Sequence, residues 1–162
     1  EKYDWALTGK SSGRVRNVVT SLELDPAQQE RVNEKLQRKY ADVRRDEVRF
    51  EAIRCEDADY VLVAYGSSAR ICSKMGREEG IKVGLLRPIT LFPFPTEAIG
   101  ELSRKVKGFL SVEMSAGQMV EDVRLAVEGR APVCHYGRMG GIVHSPGEVF
   151  EALKSNFLSK TK

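Results

Sequence analysis

Apolar and polar residues alternate in Val48-Arg49-Phe50-Glu51-Ala52-Ile53, the pattern of a strand with one covered face. Tyr60-Val61-Leu62-Val63-Ala64-Tyr65 is apolar throughout, as in a strand covered on both faces. Gly66-Ser67-Ser68 then turns the chain into a helix expected to run to Gly80. The next strand is expected over 82–86. Pro95-Thr96 opens a helix with Ile99, Leu102 and Val106 on one face, and Gly108 stops it. A buried strand follows over 109–113, then a helix with Val120, Val123 and Val127 inward, ended by Gly129. The last strand falls over 132–136. Ser145-Pro146-Gly147-Glu148 has the serine and acid of a capping box and opens a final helix with Val149, Leu153 and Phe157 inward. Strand and helix alternating at this spacing predict an α/β fold, a mostly parallel sheet with helices on both faces.

The first part of the chain reads differently. Residues 24–51 are dense in charge. Asp25-Pro26 opens a helix, with the acid as cap and proline at the first helical position. Val32, Leu36, Tyr40 and Val43 form one narrow apolar stripe, and the other faces are charged. Such a helix commonly lies solvated on a domain surface; the sharper alternative is packing on a partner subunit. Upstream, 5–9 and 15–22 have strand character, and 9–13 reads as a loop. The compact domain is accordingly placed at 48–162, with 1–47 as a linking segment carrying the charged helix.

Composition narrows the function classes. With 41% hydrophobic and 30% charged residues, the chain is globular, and 162 residues bury roughly 70% of the unfolded surface. The net charge of +3 comes from interleaved acids and bases, which gives no nucleic-acid footprint. No apolar run approaches the roughly 18 residues of a membrane helix. The start, Glu1-Lys2-Tyr3-Asp4-Trp5, has neither the features of a signal peptide nor an initiator Met. Cys55, Cys72 and Cys134 lack zinc or iron–sulfur spacing and read as structural thiols of a reducing cytoplasm.

Ligands of such sheets sit at the carboxyl ends of the strands. There the sequence places Ser67 and Ser68, Arg87, Glu113 with Gln118, and the loop Gly137-Arg138-Met139-Gly140-Gly141. Ser67 and Ser68 are candidates for an anion contact at a helix start, against the simpler reading of a tight turn. The stretch has no GxGxxG, P-loop or GxSxG pattern. Glu113 is the one acid placed as a catalytic acid would be; its commoner role is capping the next helix or pairing with an Arg. His135 and His144 have no companions at metal-ligand spacing. No residue is assigned a catalytic, metal-binding or cofactor-binding role.

Three stretches carry a resemblance to a known family: residues 57–70 (DADYVLVAYGSSAR), 78–95 (EEGIKVGLLRPITLFPFP) and 112–124 (VEMSAGQMVEDVR). They resemble the C-terminal domain of the alpha subunit of 2-oxoacid:ferredoxin oxidoreductases, of the branched-chain (2-oxoisovalerate) or the 2-oxoglutarate type. The segments 5–9 and 18–22 are similar to the family's linking segment. The resemblance implies a three-layer α/β/α fold like the transketolase C-terminal domain, a five-stranded, mostly parallel sheet with 48–53 as an antiparallel edge strand. It implies a cytoplasmic complex that decarboxylates a 2-oxoacid on thiamine diphosphate and Mg²⁺. Electrons pass through iron–sulfur clusters to ferredoxin, and the acyl group goes to coenzyme A. These cofactors would sit on other domains and on beta, gamma and ferredoxin-like delta subunits. This chain would be a non-catalytic interface domain, inactive alone, with Arg87, Glu113 and Gln118 as candidates for an active-site wall.

The competing reading is a stand-alone module binding an organic anion or nucleotide near Ser67 and Gln118. An interface role carries its own expectation: apolar side chains exposed in one patch rather than an evenly polar surface, with a homodimer of the isolated domain compatible with it.

Overall fold

The computed structural model describes residues 21–75, 77–78 and 80–158. The chain divides into two compact units, Glu1–Ala41 and Asp42–Lys162. Helix α1, Pro26–Asp46, begins in the first, and its last residues belong to the second. Asp25 caps it as expected, its carboxylate accepting from the Ala27 amide at 3.0 Å. No residue of α1 is buried, and Val32, Leu36 and Tyr40 are each more than a third exposed. Of the strand character expected over 5–9 and 15–22, all but Ser21 and Leu22 lies outside the described residues, and these two are not in a strand.

The second unit is built on a sheet. Its strands are β1 (Phe50–Ile53), β2 (Tyr60–Val63), β3 (Arg77–Glu78), β4 (Ile81–Pro88), β5 (Gly108–Glu113) and β6 (Val133–Gly137). The main sheet has the order β1-β4-β2-β5-β6. β1 is antiparallel to β4, and all other pairs along this path are parallel, as expected. The helices are α2 (Gly66–Cys72), α3 (Thr96–Leu102), α4 (Met119–Val127) and α5 (Pro146–Phe157).

Strand periodicity sorts the core into two layers. Tyr60 and Leu62 face one side with Ala69 and Cys72 of α2 and Val149 and Leu153 of α5. Val61 and Val63 face the other with Ile99 of α3 and Val123 and Val127 of α4. β2 and β5 are buried along their whole length, which accounts for their unbroken apolar runs.

Two helices are shorter than the periodicity suggests. α2 ends at Cys72 rather than Gly80, and Arg77–Glu78 instead pairs antiparallel with the start of β4. Arg54 supplies the reason: its guanidinium donates to the Ser73 carbonyl at 3.0 Å and also to that of Met75. Those carbonyls belong to a turn, and Met75 drops into the core. α3 stops at Leu102, where the next residue, Ser103, donates back to Gly100 and accepts from Arg130. Val106 reaches the same core layer from beyond the helix.

The turn leaving β1, with Arg54 at φ +55°, crosses directly over Gly84 of β4. A Cβ at Gly84 would lie 2.8 Å from the Arg54 carbonyl oxygen and 3.1 Å from the Cys55 Cα. Both are backbone atoms, which cannot step aside as a side-chain tip can. Gly84→Ala is expected to destabilise the domain by about 1–3 kcal/mol, read by urea unfolding.

The thiols sit in different layers. Cys55 belongs to one core layer, Cys72 to the other, and Cys134 packs half-buried against the latter. They cannot converge on one cluster. Burial pushes the Cys72 thiol up to about 12 and also raises Cys55. A thiol reagent at about pH 8 is expected to label Cys134 first, and Cys55 and Cys72 only once denaturant opens the core.

Candidate functional site at the carboxyl edge of the sheet

The connection after β2 leads to β4 on one side, and that after β5 leads to β6 on the other. The carboxyl ends of β2 and β5 are therefore the topological switch point, where sheets of this kind place their ligands. All the residues singled out from sequence lie at this edge, and the structure separates them into inward and outward groups.

Glu113, the last residue of β5, points inward and is 2% exposed. Its carboxylate accepts from the backbone amides of Gln118 (2.9 Å), Met119 (3.0 Å) and Val120 (2.9 Å). It also accepts from the hydroxyls of Ser111 and Ser115, each at 3.0 Å. The amides are the orphan donors at the start of α4, so Glu113 caps the helix with a full charge at the positive end of its dipole. Burial is the strongest single influence on this carboxyl and raises its pKa. The amides of Gln118 and Met119 and the two hydroxyls together outweigh it and hold the group below the ordinary carboxylate range. His135 of β6 approaches with Nε2 3.7 Å from the carboxylate.

Arg87 does not pair with Glu113. It faces Glu51 across the β1–β4 register and binds that carboxylate at 2.9 Å. Both partners are nearly half exposed, so the pair is worth at most about 1 kcal/mol. Gln118 contributes its amide to Glu113, while its side chain is exposed.

Ser68 is buried, its hydroxyl 3.2 Å from His144 Nε2, and of the two serines only Ser67 is exposed. Burial holds His144 below the ordinary histidine range, so its ring is neutral at pH 7. A serine beside a neutral histidine has the composition of a nucleophile and base, but at 3% and 4% exposure neither reaches a substrate. The bond ties the loop after β6 to α2. Its members lie 76 residues apart, and no local motif announces them. The same loop is pinned by the Arg138 amide, which donates to the Glu113 carbonyl at 3.1 Å, and by the ion pair of Arg138 with Glu148.

These residues do not fit a thiamine diphosphate or Mg²⁺ site. The buried carboxylate at the edge is fully engaged with donors, and the Ser68 hydroxyl is committed to His144.

Beside the exposed Ser67 and Gln118 and the half-exposed Arg87, large apolar side chains also face outward at this edge. β2 is followed by Tyr65, which is 39% exposed. Ile89, Leu91 and Phe92 follow β4, Met114 follows β5, and Met139, Ile142 and Val143 follow β6, at 42–61% exposure. Phe50 of β1 lies opposite Pro88 and joins the same edge. The strand-end rim thus exposes several large apolar side chains.

Glu113→Gln replaces an acceptor oxygen by an NH₂ group facing other donors. It is expected to cost about 2–4 kcal/mol in denaturant unfolding. Because the folded pKa is depressed, the carboxylate's contribution is complete above its unfolded value near 4.5 and is lost as pH falls through the folded value. The stability gap between wild type and Glu113→Gln should narrow steadily below about pH 5.

Comparison with known proteins gives this geometry its context. Residues 58–149 match the family model described as pyruvate:ferredoxin oxidoreductase core domain II. The chain is 51% identical over 140 residues to ketoisovalerate oxidoreductase subunit VorB of Methanothermobacter marburgensis, covering 85% of this chain and 39% of that one. It is 34% identical over 101 residues to 2-oxoglutarate synthase subunit KorA of the same organism, covering 60% and 27%. A solved 2-oxoglutarate:ferredoxin oxidoreductase from Magnetococcus marinus, with 2-oxoglutarate, coenzyme A and succinyl-CoA bound, shares the fold. Its TM-score is 0.66 at 18% identity, over 90% of this chain and 27% of that one. The chain spans about two fifths of the length of the VorB relatives it matches. With more than half of its residues inside the family model, the chain belongs to the pyruvate:ferredoxin oxidoreductase core domain II family.

Proposed function

We propose that this chain is a non-catalytic, interface-forming domain of a thiamine-diphosphate-dependent 2-oxoacid:ferredoxin oxidoreductase. The complete complex would oxidatively decarboxylate a 2-oxoacid to its acyl-coenzyme A and reduce ferredoxin. Thiamine diphosphate, Mg²⁺ and the iron–sulfur clusters would be held by other domains and by beta, gamma and ferredoxin-like delta subunits. The higher identity to ketoisovalerate subunits than to the 2-oxoglutarate subunit supports a branched-chain 2-oxoacid as substrate. No helix among the described residues is long and apolar enough to cross a membrane, which is consistent with a cytoplasmic complex.

The observation that carries this reading is the edge itself. At the strand ends, where sheets of this kind place their ligands, the acid and the histidine–serine pair are spent on internal bonds, and large apolar side chains face outward. Such an edge suits contact with protein better than contact with a charged cofactor. Residues 1–47 would then be the connecting segment and 48–162 the domain proper.

The test is turnover. The purified chain, given 2-oxoisovalerate, 2-oxoglutarate or pyruvate with thiamine diphosphate, Mg²⁺, coenzyme A and a viologen acceptor, is expected to reduce nothing. Adding the missing parts of a branched-chain enzyme should restore 2-oxoisovalerate-dependent reduction. Turnover by the chain alone would overturn the reading, as would tight binding of an acyl-coenzyme A or nucleotide to it in calorimetry.

A further inference from the structure

One polar atom at the carboxyl edge is left over. His135 Nε2 is buried, and among the described residues it has no hydrogen-bond partner. It lies 3.7 Å from Glu113 Oε1, beyond the roughly 2.7–3.2 Å of an N–H···O bond. That oxygen already accepts from the Ser111 hydroxyl at 3.0 Å and the Val120 amide at 2.9 Å. The ring is therefore not needed to fill the carboxylate's lone pairs. What it can bring is charge.

The backbone around the ring leaves it little room. A Cβ at Gly137 would lie 2.6 Å from His135 Cε1 and 2.1 Å from the Ser115 carbonyl oxygen. A Cβ at Gly117 would touch the same ring at 3.6 Å. The imidazole thus sits between the end of β6 and the loop from β5 to α4, residues 114–118. That loop carries Met114 and Gln118, both exposed at the edge. The side chain of His135 is 22% exposed, enough for the ring to exchange protons with water.

The other charges near β6 are turned away or paired. Val133 packs with the α4 layer, so His135, two residues on, faces the same side. On α4 the inward residues are Met119, Val120 and Val123, while Glu121, Asp122 and Arg124 are exposed. α5 covers the opposite side, where Glu148 pairs with Arg138 and Glu151 with Lys154. The second histidine, His144, is 4% exposed and bonded to Ser68. Among the described residues, Glu113 is the charge that faces the ring.

We infer that His135 is a proton-sensitive clamp: protonated, its ring forms an ion pair with Glu113 that holds the β5–α4 loop against the end of β6, and neutral, it lets that hold go. Glu113 stays ionised throughout, because its donors keep it below the ordinary carboxylate range. The ring alone switches, in the interval of about pH 5–8 where a histidine changes charge. The pair is present on the acid side and lost as pH rises. A charge-assisted contact is stronger than the neutral contact it replaces, and a partly covered site screens it less than open solvent would.

The test is a pH titration of the 162-residue chain by NMR. Long-range ¹H–¹⁵N spectra follow the His135 ring, and ¹³C shifts follow the Glu113 carboxylate. Between pH 8 and pH 5, that carboxylate and the amides of Gln118, Met119 and Val120 are expected to shift with the same midpoint as the ring. Hydrogen-exchange protection of these amides, corrected for the intrinsic effect of pH, should rise about 5-fold over the same interval. His135→Gln should remove both responses and leave the His144 signals as they were. If that variant does not fold, the coincidence of midpoints in the unaltered chain decides. A carboxylate and amides indifferent to the ring would overturn the clamp. So would a response that survives in His135→Gln or that follows His144 instead.

Discussion

A carboxylate taken out of water costs several kcal/mol unless its lone pairs are filled, and Glu113 meets that condition with five donors. Much of the second unit is arranged around it. It ends β5, the strand between β2 and β6, and it starts α4 by accepting the amides that the helix cannot satisfy itself. The loop between them turns through Gly117 at φ +112°, where its amide donates to the Ser115 hydroxyl. The carbonyl of Glu113 holds the Arg138 amide, and so the loop after β6. That loop in turn reaches α2 through His144 and Ser68. Three strand ends are thereby fastened by polar bonds beneath the surface, and their apolar side chains are left facing outward.

The strands were plainly legible because burial on both faces leaves a run such as Tyr60-Val61-Leu62-Val63-Ala64-Tyr65 that nothing else in a chain of this composition mimics. The capping box at Ser145 was equally legible: Ser145 accepts from the Glu148 amide and donates to its carboxylate, within four consecutive residues. What escaped are interactions between distant segments. The end of α2 is set by Arg54, roughly twenty residues upstream, and the β3 hairpin follows from it. Arg87 pairs across an antiparallel register that only the three-dimensional sheet defines. At the site, Glu113 could be found as a strand-end acid, but its neutral neighbours decide that it caps rather than catalyses. The pairing of Ser68 with His144 had no sequence signal.

The two ends of the sheet expose different side chains, and this gives the fold its functional direction. At the amino end, Lys107 pairs with Asp59 at 2.8 Å and Lys82 with Asp57 at 2.9 Å, both largely in solvent. Such pairs add little stability, but they keep that end wet and unattractive to other chains. The carboxyl end carries ion pairs too, Arg87 with Glu51 and Arg138 with Glu148, but it also exposes large apolar side chains. In most doubly wound domains that end gathers donors and acids around a ligand. Here the amides at the start of α4 are turned inward on Glu113 and are not available to a ligand. An exposed apolar surface of this extent is a liability to an isolated domain. It ceases to be one when another protein surface covers it, as the proposed interface role requires, and the internal fastening by Glu113 and His144 then acquires a purpose. A docking surface built from four loops holds its shape only if each loop is fixed from behind, and at three of them buried polar bonds supply that fixing.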